Sequence, residues 1–453
     1  MSSKPDSNSR RVWMLCIAAA AILMVTMGVR QTTGLFVSPL NTATGLGIVS
    51  ISFALAIGQF VWGATQPIFG AIADKYGSVK VIIFGTLMLA AGTALTPFMH
   101  SELGLIVTLG ILSAGGAGAG SFSILIGATA RQLPPESRSF AAGFINAGGS
   151  FGQFLFAPIV QAVITGFGWV AAMMALAVAA LASIPLTLPF REKGKGVAAD
   201  TAAGNDAATT ATGTASATGA ATTANAATIA SPATAANASA PNSPPIEIGL
   251  KQQLRIAMRD RNYLYLHAGF FTCGFHIAFL VTHLPSEVAL CNLPASVSAT
   301  SLAIIGLFNI VGSIMAGVLG NRYRMKNMLA LIYASRAAMI AIYLISPKTP
   351  LTFYVFAAAL GVTWLSTVAP TAGIVGKLFG MRYIATLFGM TLLSHQIGGF
   401  FGAWLGGISI ASHGNYTWMW YADIALALFA AVINLPIKEA PVVRKPIAKT
   451  VPA

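Results

Sequence analysis

The sequence predicts an all-α membrane protein with twelve transmembrane helices in two pseudosymmetric six-helix bundles. Three observations carry that expectation: a composition too apolar for a water-soluble globule, twelve apolar stretches of spanning length, and a loop pattern that occurs once in each half. Of 453 residues, 56% are hydrophobic and 8% charged, against roughly a quarter charged in a soluble domain. So few ionisable groups cannot keep a folded surface hydrated unless most of it faces lipid.

A spanning helix needs about 20 apolar residues. Such stretches begin near Val12, Ile48, Val79, Leu103, Phe140 and Trp169, then near Arg261, Ala295, Asn327, Leu351, Ile384 and Tyr416. The first is apolar from Val12 to Val29 and shows no evident cleavage site, so it reads as a retained span rather than a signal peptide. Six stretches fall in residues 1–190 and six in 259–453, separated by a polar insert at 191–258. From Val197 to Ala240 that insert has 30 Ala or Thr among 44 residues and no aromatic residue. Interspersed Gly, Thr and Asn oppose helix and no apolar stripe exists to dock one, so a disordered cytoplasmic linker is expected.

Cytoplasmic loops collect Lys and Arg when a chain inserts. With both termini inside, 23 of the 26 basic residues fall on cytoplasmic segments, a segregation that an odd number of helices in either half would scramble. Lys348 alone falls in an external loop, and Arg30 and Arg336 fall within spans. The net charge of +14 is scattered in small clusters between apolar runs, which points to orientation in a membrane and away from nucleic-acid binding. Cys16, Cys273 and Cys291 show neither a disulfide framework nor a metal-ligand spacing, so no metal or other cofactor is expected.

The connection after the second span reads GAIADKYGSVK from Gly70 to Lys80, and the one after the eighth reads GVLGNRYRMK from Gly317 to Lys326, with Asn321 in the place of Asp74. Matching inner loops in two six-helix halves indicate an internal duplication. Gly70, Asp74, Lys75, Gly77 and Lys80 match an inner-loop signature by which the chain resembles the major facilitator superfamily, over its whole length apart from the insert. The resemblance implies two bundles around a central cavity, alternating access, and an inner gate built on this loop. GVRQTTGLF in the first span and SHQIGGFFGAWLGG from Ser394 to Gly407 are similar to bacterial carriers related to the monocarboxylate transporters and oxalate/formate antiporters. The eighth span departs from those relatives: it lacks their acid and Arg and offers Asn309, while the eleventh has His395 and Gln396 but no Lys.

Charge inside hydrocarbon is costly, on the order of 3 kcal/mol by insertion scales. Arg30 lies 18 residues beyond Val12, about 27 Å up the first span and thus in its outer half. A guanidinium offers a planar donor fork to a carboxylate, and the resemblance implies a cation at this place, so Arg30 is the leading substrate contact. Snorkelling to the headgroups is the alternative. Gln31, Asn146 and Asn309 are candidate hydrogen-bonding partners of substrate, and Gln59 and Gln153 fit helix bridging better. Arg336 and Asp423 fall at depths only one to two turns apart and are expected to form a buried structural charge pair. His276 and His395 lie near mid-membrane and are the proton-coupling candidates, since histidine titrates near neutrality; His283 shares the face of His276 and His267 does not.

The glycines of the fourth, fifth and eleventh spans, such as Gly398, Gly402 and Gly406, recur at spacings that let helix backbones approach closely. None follows a strand and no GxxxxGK[ST] exists, which excludes a phosphate loop. No assembly of nucleophile, base and orienting group is recognisable, so an enzyme is not expected. The expected function is secondary active transport of a small monocarboxylate-type organic anion across the cell inner membrane, with a proton. Anion exchange or efflux of amphiphilic compounds is the alternative, and a carrier-like membrane sensor a remote one. The expected partners are that anion, protons and the bilayer; the oligomeric state is open, a monomer being sufficient.

Overall fold

The computed structural model of the chain describes residues 7–130, 132–133, 135–191, 249–320, 322–380 and 383–442. Among these, every regular element is helical. The first half begins with α1 (Ser7–Gln31), which continues through a 3-10 turn at Thr33–Phe36 into α2 (Val37–Thr44). Then come α3 (Ile48–Tyr76), α4 (Ser78–Leu95), the short α5 (Glu102–Leu105), a π-helical stretch at Ile106–Ser113, α6 (Ala114–Ala119), α7 (Phe122–Ala130) and α8 (Pro135–Ala182). The second half contains α9 (Leu250–Ala257), α10 (Arg261–Leu290), α11 (Ala295–Gly320), α12 (Met325–Ile345), α13 (Pro350–Thr363), α14 (Val368–Phe379), α15 (Ile384–His413) and α16 (Thr417–Asn434).

Ten helical segments among the described residues are long and apolar enough to cross a membrane. One of them, Ala141–Phe190, covers most of α8 and the 3-10 turn at Ile184–Phe190; Gly168 interrupts α8 with φ +86°, a backbone that side chains with a Cβ rarely adopt. Gly77 performs the tightest reversal: at φ +93° it is at once the last cap of α3 and the first of α4.

Three features differ from expectation. The first span does not stop near Val29 but runs from Arg10 to Thr44, which places Arg30 about 30 Å from one end and about 21 Å from the other at 1.5 Å per residue. Arg30 is therefore still in the outer half but closer to the middle of the span than a run ending at Val29 implies. The fourth and tenth spans are discontinuous, broken at Gly120–Ser121 and between Thr363 and Val368. Pro370 in the first turn of α14 explains the second break, because it has no N–H to give and its ring crowds the carbonyl four residues back. Finally, the last residues of the 191–258 insert are not a featureless linker: α9 docks through Gln253 and Ala257, both buried. The low-complexity part, 197–240, lies outside the described residues.

The packing pairs recur. In the first half α1 lies along α8, α3 against α6, and α4 against α6 and α8; in the second, α10 lies along α15, α11 against α13, and α12 against α16. Glycine enables the close pairs, as expected: a Cβ on Gly398 or Gly402 would run into the carbonyls of Phe271 and Phe275 on α10, and one on Gly152 into that of Met24 on α1.

The halves meet through α3 and α15, α8 and α11, and the Thr33–Phe36 turn and α2 on α10. These contacts gather toward the end where α2 finishes. Gly34 abuts the carbonyl of Val281, Ser52 faces Gly407, and Phe53 packs on Phe400 and Trp404 at ring-centroid distances of 5.9 and 5.7 Å. Toward the opposite end, a Cβ on Gly127 of α7, Gly143 of α8 or Gly389 of α15 would meet nothing within 4 Å. The named contacts between the halves thus lie toward the α2 end, and these three glycines toward the other end face open space.

Candidate functional site

Arg30 leaves α1 toward α3. Its Nη2 donates to Gln59 Oε1, and its guanidinium carbon stands 4.0 Å over the ring of Trp62. Gln59 and Trp62 are three residues apart and so share one face of α3. Gln59 also borders the seam between the halves, its Cβ lying 3.5 Å from where a Cβ on Gly399 of α15 would be. Among the described residues no carboxylate pairs with Arg30. A half-buried guanidinium with one of five N–H donors engaged and no counter-charge is a site with unspent capacity for an anion.

The other candidates divide. Gln31 has its Oε1 enclosed and unpartnered, and Asn146, half-buried on α8, has no hydrogen-bond partner among the described residues. Asn309, by contrast, is largely engaged: one N–H of its Nδ2 donates to Ser150 Oγ at 2.9 Å, and its Oδ1 accepts from Leu365 N at 3.1 Å and Ser313 Oγ at 3.3 Å. It bridges the halves and satisfies part of the broken backbone of the tenth span, which leaves one N–H of the amide unused among the described residues. Gln153 is buried with an unpartnered Nε2.

Arg336 and Asp423 do not pair. Asp423, fully buried, accepts from His276 Nδ1 through Oδ2 at 2.6 Å. Arg336, 1% exposed, turns to the gap between α13 and α14. There it donates to the carbonyls of Thr363 and Trp364, the latter at 2.8 Å, and to Cys273 Sγ at 3.2 Å. Similar depth suggested a pair, but the helix break supplies orphaned carbonyls that take a guanidinium fork. His276 is thus one member of a buried pair whose outer atoms, His276 Nε2 and Asp423 Oδ1, have no partner. His395 lies 4.9 Å from the ring of Phe270, its Nδ1 beside Gln396 Nε2 at 3.2 Å. His283 bonds Tyr416 and the Ala403 carbonyl, a helix-bridging role.

Of the inner-gate loop, Gly77 makes the reversal already described and a Cβ on Gly70 would meet open space. Lys75 lies 5.1 Å over the Tyr76 ring, and Lys80 is exposed. The side chain of Asp74 and all of Asn321 lie outside the described residues. The corresponding end of the second half carries an acid the motif did not indicate: Glu439 accepts from Lys377 Nζ at 2.7 Å and from the backbone N–H of Lys326 at 2.8 Å. Lys348, at the other end, stacks 3.7 Å over Tyr343, and burial pulls its ammonium below the usual lysine value while the Glu287 carboxylate opposes that.

A groove of about 440 Å³ lies elsewhere, between α10, α15 and α16, lined by Leu264, His267, Phe271, Ser394, Leu426 and Phe429. It is apolar and holds no cation, so it does not suit an anion. Trp62 went unremarked in the sequence because its role depends on contact with another helix; its spacing from Gln59 was the one local signal.

Residues 15–403 match the Major Facilitator Superfamily. The chain belongs to that superfamily. It is a multi-pass membrane transporter rather than an enzyme. It is 23% identical over 407 residues to monocarboxylate transporter 13 of Rattus norvegicus, covering 89% of this chain and 84% of that one. It is 26% identical over 162 residues to the oxalate:formate antiporter of Oxalobacter formigenes, 36% of this chain and 38% of that protein. It is also 31% identical over 140 residues to the probable sulfoacetate transporter SauU of Cupriavidus necator, 31% of each chain. The matched parts of the last two are well under two thirds of their length.

Proposed function

We propose that this protein is a secondary carrier that moves a small organic monocarboxylate across the cell inner membrane by alternating access, together with a proton. The observation that carries the reading is Arg30: a guanidinium within the first span at the seam between the halves, without a carboxylate partner among the described residues. Relatives named for monocarboxylate, oxalate and sulfoacetate transport all handle organic acids, which supports an acidic substrate. A single strong cation matches a single carboxylate. Gln31 and Asn146 supply unpaired polar atoms on the same two helices that line the first half, α1 and α8.

In this reading the helices form twelve spans: the ten segments, with the one that covers α8 counting as two about Gly168, and α15. They group as bundles 1–190 and 259–453, joined through 191–258 on the cytoplasmic side with both termini. The recurring packing pairs support the two-bundle grouping. The end that carries Gly127, Gly143 and Gly389 is then the cytoplasmic vestibule, and the α2 end is external. The proton resides on the His276–Asp423 pair, the one buried acid–base contact among the described residues, with His395 the second candidate. The Gly70–Lys80 loop serves as inner gate.

Uptake into proteoliposomes by Arg30→Lys and Arg30→Gln variants tests the substrate contact. Partial retention by Lys and loss in Gln are expected, and equal transport by both removes the assignment. A pH gradient that fails to drive accumulation removes the proton. Exchange of organic anions is the second reading, favoured by the likeness to an oxalate:formate antiporter; counterflow that requires an anion on both sides selects it.

A further inference from the structure

Beside Arg30 lies a second unspent donor. The indole Nε1 of Trp62 is enclosed and has no hydrogen-bond partner among the described residues, while the same ring carries the Arg30 guanidinium at 4.0 Å. Gln59 accepts from one edge of that guanidinium, so the cation is held over the indole, and its other N–H groups have no acceptor among the described residues. A buried N–H left without an acceptor is costly, and a guanidinium without a counter-charge is costlier. One missing group relieves both: an anion with two acceptor oxygens, one for each donor.

We propose that Trp62 Nε1 is the second donor to the substrate carboxylate, one oxygen accepting from Arg30 and the other from the indole N–H. Trp62 is then a specificity-determining residue that favours two-oxygen anions over single-point anions. The surroundings define the remainder of the substrate. Along the seam next to Gln59, Phe53, Phe400 and Trp404 form an apolar triangle with ring centroids 5.7 to 5.9 Å apart. Neither α15 nor the stretch of α3 from Ile48 to Ala73 carries a Lys or Arg. A second carboxylate has no partner on these helices, so the substrate is a monoanion with an apolar remainder.

This inference rests on the Arg30 reading, and the test separates the two. Proteoliposome uptake is measured for radiolabelled acetate, L-lactate, pyruvate and benzoate with wild type, Arg30→Gln and Trp62→Phe. Phenylalanine keeps a ring under the guanidinium and removes only the N–H. The expected result is a KM raised about 10-fold or more in Trp62→Phe, the effect of one hydrogen bond to a charged acceptor, with kcat kept. A KM within about two-fold of wild type overturns the indole donor; if Arg30→Gln is inactive in the same series, the carboxylate reading survives. Arg30→Gln equal to wild type, or no uptake of any of the four acids, overturns both. Should Trp62→Phe fail to fold, ultraviolet resonance Raman of wild-type protein replaces it: benzoate is expected to shift one indole N–H band, and an unchanged spectrum in a protein that transports benzoate overturns the proposal.

Discussion

Replacing Arg336 with Met tests directly the staple across the break between α13 and α14. The side chain keeps a similar stem and loses every donor. Two carbonyls, those of Thr363 and Trp364, then stand buried without partners where α13 gives way to α14, and Cys273 Sγ loses its N–H contact. Each orphaned acceptor costs about 1–3 kcal/mol, about 2–6 kcal/mol for the two. Against this, removing a fully buried cation recovers part of its desolvation penalty, so a net loss of about 2–4 kcal/mol is expected. Arg336→Lys keeps the charge but not the fork and should lie between the two. Thermal unfolding in detergent gives the global effect. Alkylation of Cys273, fully buried in the native protein, gives the local one, because loosening the break admits the reagent. If Arg336→Met melts with wild type and Cys273 stays unreactive, the guanidinium is not what holds the break.

His276→Asn and Asp423→Asn should each destabilise by about 3–5 kcal/mol, as expected when one partner of a buried pair is removed, and the double variant should lose clearly less than their sum in a thermal-unfolding cycle. In the second half, Glu439→Gln gives up the exposed Lys377 pair and weakens the cap on Lys326 N; a loss of about 1–2 kcal/mol in the same assay is expected. Gly402→Val drives a side chain into the Phe275 carbonyl and should abolish a monodisperse protein on size exclusion, whereas Gly143→Val enters open space and should not. On the proposed orientation, a cysteine at Gly389 should react with a membrane-impermeant thiol reagent from the cytoplasmic side of oriented vesicles, and equal reaction from both sides would contradict that orientation.

Helix starts were close to legible. Ile48, Arg261, Ala295 and Ile384 begin helices where the apolar runs begin, because each run must reach spanning length and no other element satisfies backbone groups in lipid. The extension of the first span through Gln31, Thr32 and Thr33 was not legible: the apolar run ends at Val29, yet Thr32 and Thr33 bond their hydroxyls back to backbone carbonyls and the chain continues to Thr44. The break between α13 and α14 could have been inferred from Pro370, whereas no residue near Asp423 marked His276 as its partner.

Composition, hydropathy and charge placement determined that this chain lives in a membrane, where its helices lie along the sequence, and which few charges must be accounted for inside. Those properties add along one dimension, and a rise of about 1.5 Å per residue turns them into depth. Depth alone left Arg336 and Asp423 as apparent partners. Only the tertiary structure decided that Asp423 belongs to His276, Arg336 to a broken helix, and Arg30 to Gln59 and Trp62. The reason is that a contact in a bundle depends on the rotation of each helix about its axis and on which helix stands beside it, and both are set by the packing of all the helices together.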